Sequence, residues 1–132
     1  MTGQDRGVPI RAIHHVQLAM PPGREALAVE FYEGLLGLTH VPKPPDLASR
    51  GGCWFEDGAL AIHLGVEDSF VPARKAHPAL LVEGLADLEV RLEAAGHPVR
   101  PGPGLAGLEQ RYVDDPFGNR IELLEPISKP VD

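Results

Sequence analysis

The sequence repeats one order of predicted elements: each half of the 132 residues is predicted to form a strand, a helix and then two or three strands. Near the end of the first half, the segment WFEDGALAIHL aligns with the segment YVDDPFGNRIELL near the end of the second. A half of about 55 residues buries the face of its sheet poorly on its own, so the two halves are expected to pack as one unit. Such a repeat also predicts approximate two-fold symmetry, in which equivalent positions of the two halves are paired.

Hydrophobic periodicity and Gly/Pro punctuation place these elements along the chain. The elements predicted in the first half are a strand, a helix and two strands, at residues 13–20, 24–36, 52–55 and 59–64. Those predicted in the second half are a strand, a helix and two strands, at residues 78–82, 85–95, 110–113 and 120–124. Gly37 and Gly96 are predicted to end the two helices in the left-handed conformation. The Pro-rich segment 42–45 is predicted to be a surface connection that cannot be helical.

Composition excludes several classes of protein. The formal net charge is −7, and the acidic residues are spread along the chain, whereas a nucleic-acid surface needs clustered basic residues. No apolar stretch approaches the ~20 residues of a membrane-spanning helix, and the N-terminus lacks the apolar stretch of a secretory signal. Cys53, the only cysteine, is interpreted as a small buried hydrophobe. The sequence therefore predicts a cytoplasmic domain that binds a small molecule and neither nucleic acid nor membrane.

Four side chains that can bind a metal occupy corresponding positions of the repeat. His15 lies in the first strand of the first half, and His77 opens the first strand of the second. His63 and Glu122 lie in the last strands of the two halves. His15 and His63 are 48 residues apart, and His77 and Glu122 are 45 apart. Because equivalent residues of a two-fold repeat meet near its axis, the four are predicted to form one site.

The alternation of side chains along a strand supports a metal site. His63 is expected to share its face with Ala59 and Ala61, two small residues that leave room for a ligand. Glu122 lies between two apolar neighbours, where a carboxylate is costly unless a cation or hydrogen bonds compensate its charge. Three imidazoles and one carboxylate suit Zn, Ni, Fe, Co or Mn and are a poor ligand set for Mg or Ca.

The opening segment IHHVQLAM…FYEGLLGL and the closing segment DDPFGNRIELLEP resemble the vicinal oxygen chelate superfamily, also called the glyoxalase, bleomycin-resistance and extradiol dioxygenase group. The resemblance covers about residues 13–126. It implies an α+β fold in which two βαβββ modules form a cupped mixed sheet around a divalent metal. The implied boundaries are one domain at 10–126, with modules at about 10–67 and 75–126, and tails at 1–9 and 127–132.

The resemblance also implies roles for the four donors. Members of the superfamily take metal ligands from the positions of His15, His77 and Glu122. Members similar to glyoxalase I add a carboxylate or amide ligand where this chain has His63, which departs from their usual residue but remains a competent ligand. Glu122, or a hydroxide on the metal, would be the catalytic base. The resemblance further implies a homodimer, in which the ligands of one cup come either from one chain or from two.

Four further residues are predicted to contact the substrate. Gln17 is expected to share a face with His15, and Tyr112 stands where the fosfomycin-modifying thiol transferases that the chain resembles carry a substrate-contacting tyrosine. Arg120 can receive an anionic group. Either Trp54 or its neighbour Phe55 is expected to form an apolar wall, because adjacent strand residues face opposite sides. For each of them the alternative is a lining, packing or ion-pair role without substrate contact.

Several chemistries share this scaffold, so the fold alone cannot select one. A glyoxalase I is expected to have an arginine in the first strand, where this chain has Gln17, Leu18 and Ala19. A fosfomycin transferase is expected to have a basic, serine-rich loop where residues 102–107 have almost no polar side chains. An extradiol dioxygenase would use two histidines and a glutamate on ferrous iron, which matches, but no second catalytic histidine is identified.

The resulting hypothesis is a glyoxalase-like, divalent-metal-dependent enzyme of the lyase, isomerase or dioxygenase type. It would act on a small oxygen-rich metabolite or xenobiotic that chelates the metal. The alternative, from a different class, is a metal-free protein of the bleomycin-resistance type, which sequesters a small molecule or antibiotic without reacting. A complete ligand set favours the enzyme.

Overall fold

The two halves of the chain fold into two modules of four strands each in the computed structural model, which describes residues 7–127. The strands of module 1 are β1 (Val16–Met20), β2 (Thr39–Val41), β3 (Cys53–Asp57) and β4 (Leu60–Val66). The strands of module 2 are β5 (Ala79–Leu81), β6 (Val99–Pro101), β7 (Leu108–Asp114) and β8 (Arg120–Pro126). The helices are α1 (Glu25–Val29), which continues as a π-helical segment (Glu30–Leu35), α2 (Pro45–Ala48) and α3 (Leu85–Ala94).

Both sheets have the same topology. Their strand orders are β1-β4-β3-β2 and β5-β8-β7-β6, so the first strand of each module lies at an edge. The first strand pairs in parallel with the last, and the other pairs are antiparallel. A parallel pair needs a long crossover, which here includes the helix of each module. The predicted α+β fold with two βαβββ modules and mixed sheets is confirmed.

One face of each sheet packs on the helix of its own module. The residues that alternate along β4 and β8 explain this, because Ile62 and Leu64 flank His63, and Ile121 and Leu123 flank Glu122. These four flanking side chains are at most 1% exposed. Buried residues of both modules belong to one hydrophobic cluster, so the halves pack as one unit, as the sequence predicts.

The first helix is not a regular α-helix. The sequence predicts an apolar stripe of Leu27, Phe31 and Leu35, but Leu27 is 37% exposed, and the adjacent Phe31 and Tyr32 are the buried pair. The buried side is instead centred on Ala28, Phe31 and Tyr32, and α1 continues as the π-helical segment, in which the N–H of Leu36 donates to the carbonyl oxygen of Phe31 at 3.0 Å. The predicted stripe is therefore wrong at Leu27, whereas Phe31 and Leu35 pack on the core.

Three short elements, β2, β6 and α2, are absent from the sequence prediction. The helix α2 begins at Pro45, so the prediction that segment 42–45 cannot be helical is wrong at its last residue. Proline is tolerated in the first helical turn because its missing N–H would have no partner within the helix. The strands β2 and β6 have three residues each, too few to show an alternating pattern. Within residues 7–127, no helix is long and apolar enough to cross a membrane.

Asp115, in the turn between β7 and β8, connects the two modules. Its carboxylate accepts hydrogen bonds from the Tyr32 hydroxyl of module 1 at 2.7 Å and from the backbone N–H groups of Phe117 and Asn119 at 2.9 and 2.8 Å. The Asn119 amide donates to the same carboxylate at 2.9 Å and to the carbonyl oxygen of Ala19 in β1 at 2.8 Å. Burial raises the pKa of Asp115, and these hydrogen bonds oppose that rise. The turn therefore fixes the end of β1 relative to the start of β8.

We expect Tyr32→Phe to lower the free energy of unfolding by about 1–3 kcal/mol, because the buried carboxylate of Asp115 loses a donor while the ring packing is kept. Tyr112→Phe is the matched control, since the Tyr112 hydroxyl is half-buried and meets Gln110 at the longer distance of 3.3 Å. Urea denaturation followed by circular dichroism measures both variants. Equal losses in the two would contradict a special role for the Tyr32 hydroxyl.

Candidate functional site

Three stacked rings lie on the face of the module 1 sheet that points away from the helix. The His63 imidazole is sandwiched between the Trp54 indole and the His15 imidazole, with ring centroids 4.1 and 4.3 Å away and planes inclined by 6° and 16°. The strand register explains the stack: His63 of β4 pairs with Trp54 of β3 on one side and with Gln17 of β1 on the other. Paired residues share a face, and His15 precedes Gln17 by two residues.

Small residues and one carboxylate surround His63. Ala61 and Gly65 flank it on the same face of β4. A Cβ atom on Gly65 would lie 2.6 Å from the side-chain nitrogen of Gln17, so the glycine makes room for that amide. The carboxylate of Glu56 lies 3.3 Å from the Nε2 atom of His63. His63 itself is buried, whereas His15 is exposed.

The second group of residues centres on Glu122 in module 2. Its Oε1 atom lies 2.7 Å from His77 Nε2, and its Oε2 atom lies 2.6 Å from the amide nitrogen of Gln110. The other ring nitrogen of His77, Nδ1, lies 2.7 Å from the carbonyl oxygen of Lys75. A carbonyl oxygen only accepts, so Nδ1 carries a hydrogen there, and Nε2 is the nitrogen that would bind a metal in place of its hydrogen bond with Glu122.

Tyr112 and Arg120 complete the second group. Tyr112 of β7 pairs with Glu122, and its ring meets the edge of the His77 ring with centroids 5.7 Å apart. The Arg120 guanidinium carbon lies 5.5 Å from the centroid of the Tyr112 ring. Of the adjacent pair Trp54 and Phe55, Phe55 is fully buried in the core, and Trp54 is the one that faces the site.

The structure therefore gathers the predicted site residues into two groups. The module 1 group contains His15, Gln17, Trp54 and His63, and the module 2 group contains His77, Tyr112, Arg120 and Glu122. Among residues 7–127, no three His, Cys, Asp or Glu side chains converge closely enough to hold a metal ion. Each group thus supplies two of the four donors, and the structure of one chain does not join the two pairs.

A cavity of about 780 Å³ lies between the edge strands β1 and β5. His15, His77 and Arg120 line it together with apolar residues that include Leu18 and Phe70. The volume is within the range of sites for small molecules.

Two site residues, Glu56 and Gln110, are missing from the sequence prediction. Glu56 lies two residues after Trp54 in β3, and Gln110 lies two residues before Tyr112 in β7. Each therefore shares a strand face with a residue that the sequence did single out. Extending the alternation by one step along each strand would have found both.

Comparison with protein families decides the classification. Residues 12–123 match the sequence profile of the Glyoxalase/Bleomycin resistance protein/Dioxygenase superfamily. The chain belongs to this superfamily. The predicted relationship to the vicinal oxygen chelate group is thereby confirmed. No curated protein matches the sequence significantly.

Solved structures of the superfamily share the fold over almost the whole chain. A glyoxalase family protein from Bacillus anthracis is 43% identical, with a TM-score of 0.84, over 89% of this chain and 97% of that one. A glyoxalase/dioxygenase from Nostoc punctiforme is 20% identical, with a TM-score of 0.74, over 91% and 94% of the two chains. The fosfomycin resistance protein FosX from Listeria monocytogenes is 17% identical, with a TM-score of 0.68, over 92% and 96%. The last two similarities concern the fold alone.

The electrostatics of this superfamily member favour the metal-binding forms of two donors. Burial lowers the pKa of His63, an effect that the hydrogen bond with Glu56 opposes and the nearby His15 reinforces. Burial raises the pKa of Glu122, but hydrogen bonds from His77 and Gln110 outweigh it, so the net pKa is lowered. At neutral pH, His63 is therefore a neutral imidazole and Glu122 a carboxylate, the forms that bind metals.

The lowered pKa of His63 predicts a pH dependence of stability in the metal-free protein. As the pH falls through about 6.5, the unfolded chain takes up a proton at His63 that the folded chain does not. The free energy of unfolding should therefore decrease on acidification through this window, and His63→Gln should make that decrease smaller. Urea midpoints at several pH values, measured in the presence of a chelator, provide the comparison. His40→Gln, at an exposed histidine, is the control, and equal slopes for both variants would contradict the prediction.

Proposed function

We propose that this protein is a divalent-metal-dependent enzyme of the lyase, isomerase or dioxygenase type, acting on a small oxygen-rich metabolite or xenobiotic. One observation carries the proposal: the four donors occupy equivalent places of the two modules and are already assembled as two pairs. In module 1 the pair is stacked, with His63 held between His15 and Trp54. In module 2 it is hydrogen-bonded, with His77 Nε2 at 2.7 Å from Glu122.

The donor chemistry fits a transition metal. Three imidazoles and one carboxylate suit Zn, Ni, Fe, Co or Mn, and the contact of His77 with the Lys75 carbonyl is the kind of outer contact that orients a ligating histidine. Such an ion, when bound, stabilises negative charge on substrate oxygens and lowers the pKa of a bound water. Its identity selects among lyase, isomerase and dioxygenase chemistry.

The site is completed, in this proposal, by a second copy of the chain. His15 and His63 of one copy would then meet His77 and Glu122 of the other, which would give a symmetric dimer two equal sites. Two observations support this arrangement. First, no three of the donors converge within residues 7–127 of one chain. Second, β1 and β5 are edge strands, and large apolar side chains beside the donors are open to solvent, with Ile13 75% and Leu81 76% exposed.

The residues around the donors have distinct roles in the proposed reaction. Glu122, a carboxylate at neutral pH, accepts a proton from the substrate. Trp54 provides an apolar wall, and Arg120, which lines the cavity beside His77, binds an anionic substituent. Gln17 and Tyr112 contribute polar groups that orient the substrate. We place the reaction in the cytoplasm because a single cysteine cannot form an internal disulfide.

The alternative function is sequestration of a small molecule without metal. The cavity between β1 and β5 favours it, because most of its lining residues are apolar. The enzyme would require all four metal donors, whereas sequestration in the cavity would not require them.

Metal content tests the proposal directly. We expect the tag-free protein to hold close to one transition-metal ion per chain by elemental analysis, and His15→Ala and Glu122→Ala each to lose it, since each variant lacks one donor. His40→Ala, at an exposed histidine outside both groups, should retain the ion. A wild-type protein that contains no metal and cannot be reconstituted with one would sink the enzyme proposal and favour sequestration.

Mixed dimers test the shared site. In a dimer of one His15→Ala chain and one Glu122→Ala chain, a site between chains would be intact once and doubly defective once. Sites within single chains would both be defective. We therefore expect co-expression of the two variants, with separable tags, to restore one metal ion per mixed dimer, whereas each variant alone binds none. No restoration in a purified mixed dimer would place each site within one chain.

A further inference from the structure

We infer that Gln110 is a positioning residue that sets the orientation of the Glu122 carboxylate for metal binding and connects it to the loop between β6 and β7. This inference rests on the proposed function, because it concerns the same site. Gln110 is only 5% exposed and contacts no other candidate metal ligand than Glu122. Its role is therefore indirect, through the carboxylate that it holds.

The hydrogen bonds of Gln110 fix which end of its amide faces Glu122. The N–H of Gly104 lies 2.7 Å from Gln110 Oε1, and a backbone N–H only donates, so the oxygen must lie on that side. The amide nitrogen then donates to Glu122 Oε2 at 2.6 Å and lies 3.3 Å from the Tyr112 hydroxyl. These two partners fix the orientation of the Gln110 amide.

This arrangement restrains one carboxylate oxygen of Glu122 and leaves the other oxygen to contact His77. Oε2 is held by the amide, so Oε1 is the oxygen directed at His77 Nε2. A carboxylate that is held at one oxygen would keep its rotamer when a metal is bound. Without Gln110, the buried Glu122 would be free to rotate, and the Gly104 N–H would lose its partner.

The loop is shaped around the amide of Gln110. A Cβ atom on Gly102 would lie 2.4 Å from Gln110 Oε1, so any larger residue there must displace the amide. Gly104, which donates to the amide, has a φ of +95°, a conformation that favours glycine. Gly102 is therefore explained by the glutamine amide that it contacts, and the hydrogen bond from Gly104 attaches the loop to the candidate site.

Cobalt binding tests the inference with a readout that does not depend on activity. We expect Gln110→Met to weaken Co²⁺ binding by about 10–100-fold, as is typical for loss of an outer contact to a ligand. The visible absorption spectrum of the bound Co²⁺ should also change, because the carboxylate adopts a different geometry. Gly102→Ala should weaken binding in the same direction by displacing the amide, although it substitutes no residue whose side chain belongs to the site.

Two control variants separate positioning from general stability. Glu125→Gln, on the opposite face of β8, perturbs the carboxylate that accepts from the N–H groups of Gly84 and Leu85 at 2.7 and 3.1 Å. It should lower stability without changing Co²⁺ affinity. Gly34→Ala introduces the same methyl group at a position where no atom lies within 4 Å of the added Cβ, and it should leave Co²⁺ affinity unchanged.

The outcomes are distinguishable. The inference is supported if Gln110→Met and Gly102→Ala bind Co²⁺ more weakly and with an altered spectrum, while both control variants keep the wild-type Co²⁺ affinity. Wild-type affinity and spectrum in Gln110→Met and Gly102→Ala overturn the positioning role and leave the metal proposal intact. An equal loss of affinity in Glu125→Gln shows that Gln110 acts only through stability, which also overturns it. A wild-type protein that binds no Co²⁺ overturns the metal proposal and this inference together.

Discussion

The parallel pairing of the first and last strands in each module is the constraint on which the site depends. It joins β1 to β4 and β5 to β8, and each pair is separated along the chain by a helix and two further strands. Parallel strands can be joined only by such a crossover, which places the helix on one face and leaves the other face open. Residues far apart in sequence thereby become neighbours on the open face, His15 beside His63 and His77 beside Glu122.

Several polar side chains are buried on the open faces and in the turn between β7 and β8, and each has hydrogen-bond partners. His63, Gln110, Asp115 and Glu122 are all at most 7% exposed, yet no buried side-chain nitrogen or oxygen among residues 7–127 lacks a hydrogen bond. Unpaired groups of this kind would each cost about 1–3 kcal/mol, so a protein of marginal stability tolerates them only as a connected network. The hydrogen bonds around Asp115 and those around Glu122 therefore serve the same purpose, because each set satisfies the polar groups of a buried carboxylate.

Local periodicity and the repeat predict the order of elements in each half and the paired positions of the four donors, whereas the cupped arrangement of two βαβββ modules is implied by the resemblance to the superfamily. Alternation in β4 and β8 identifies which side of His63 and Glu122 is apolar, and the repeat identifies the matching positions. The features that escaped prediction depend on information outside those patterns. The π-helical segment arises from hydrogen bonds that a regular period does not encode, and β2 and β6 are set by pairing with longer neighbours. The orientation of Gln110 depends on the backbone N–H of Gly104 in the loop between β6 and β7, whose position the strand pattern does not encode. The two donor pairs lie on different modules, and the strand pattern does not encode how the modules are placed relative to each other.

The stacking of Trp54 on His63 gives the protein an internal optical reporter. Trp54 is the only tryptophan in the chain, so the indole emission comes from one position, with its ring centroid 4.1 Å from that of His63. Indole fluorescence is quenched by a protonated imidazole in contact with the ring and by paramagnetic transition-metal ions nearby. Metal binding beside His63 is therefore visible in the emission of the unlabelled protein, and it does not matter whether the other two donors come from the same chain or from a second copy. The ring that faces His77 is Tyr112, so the indole reports the site from its module 1 side.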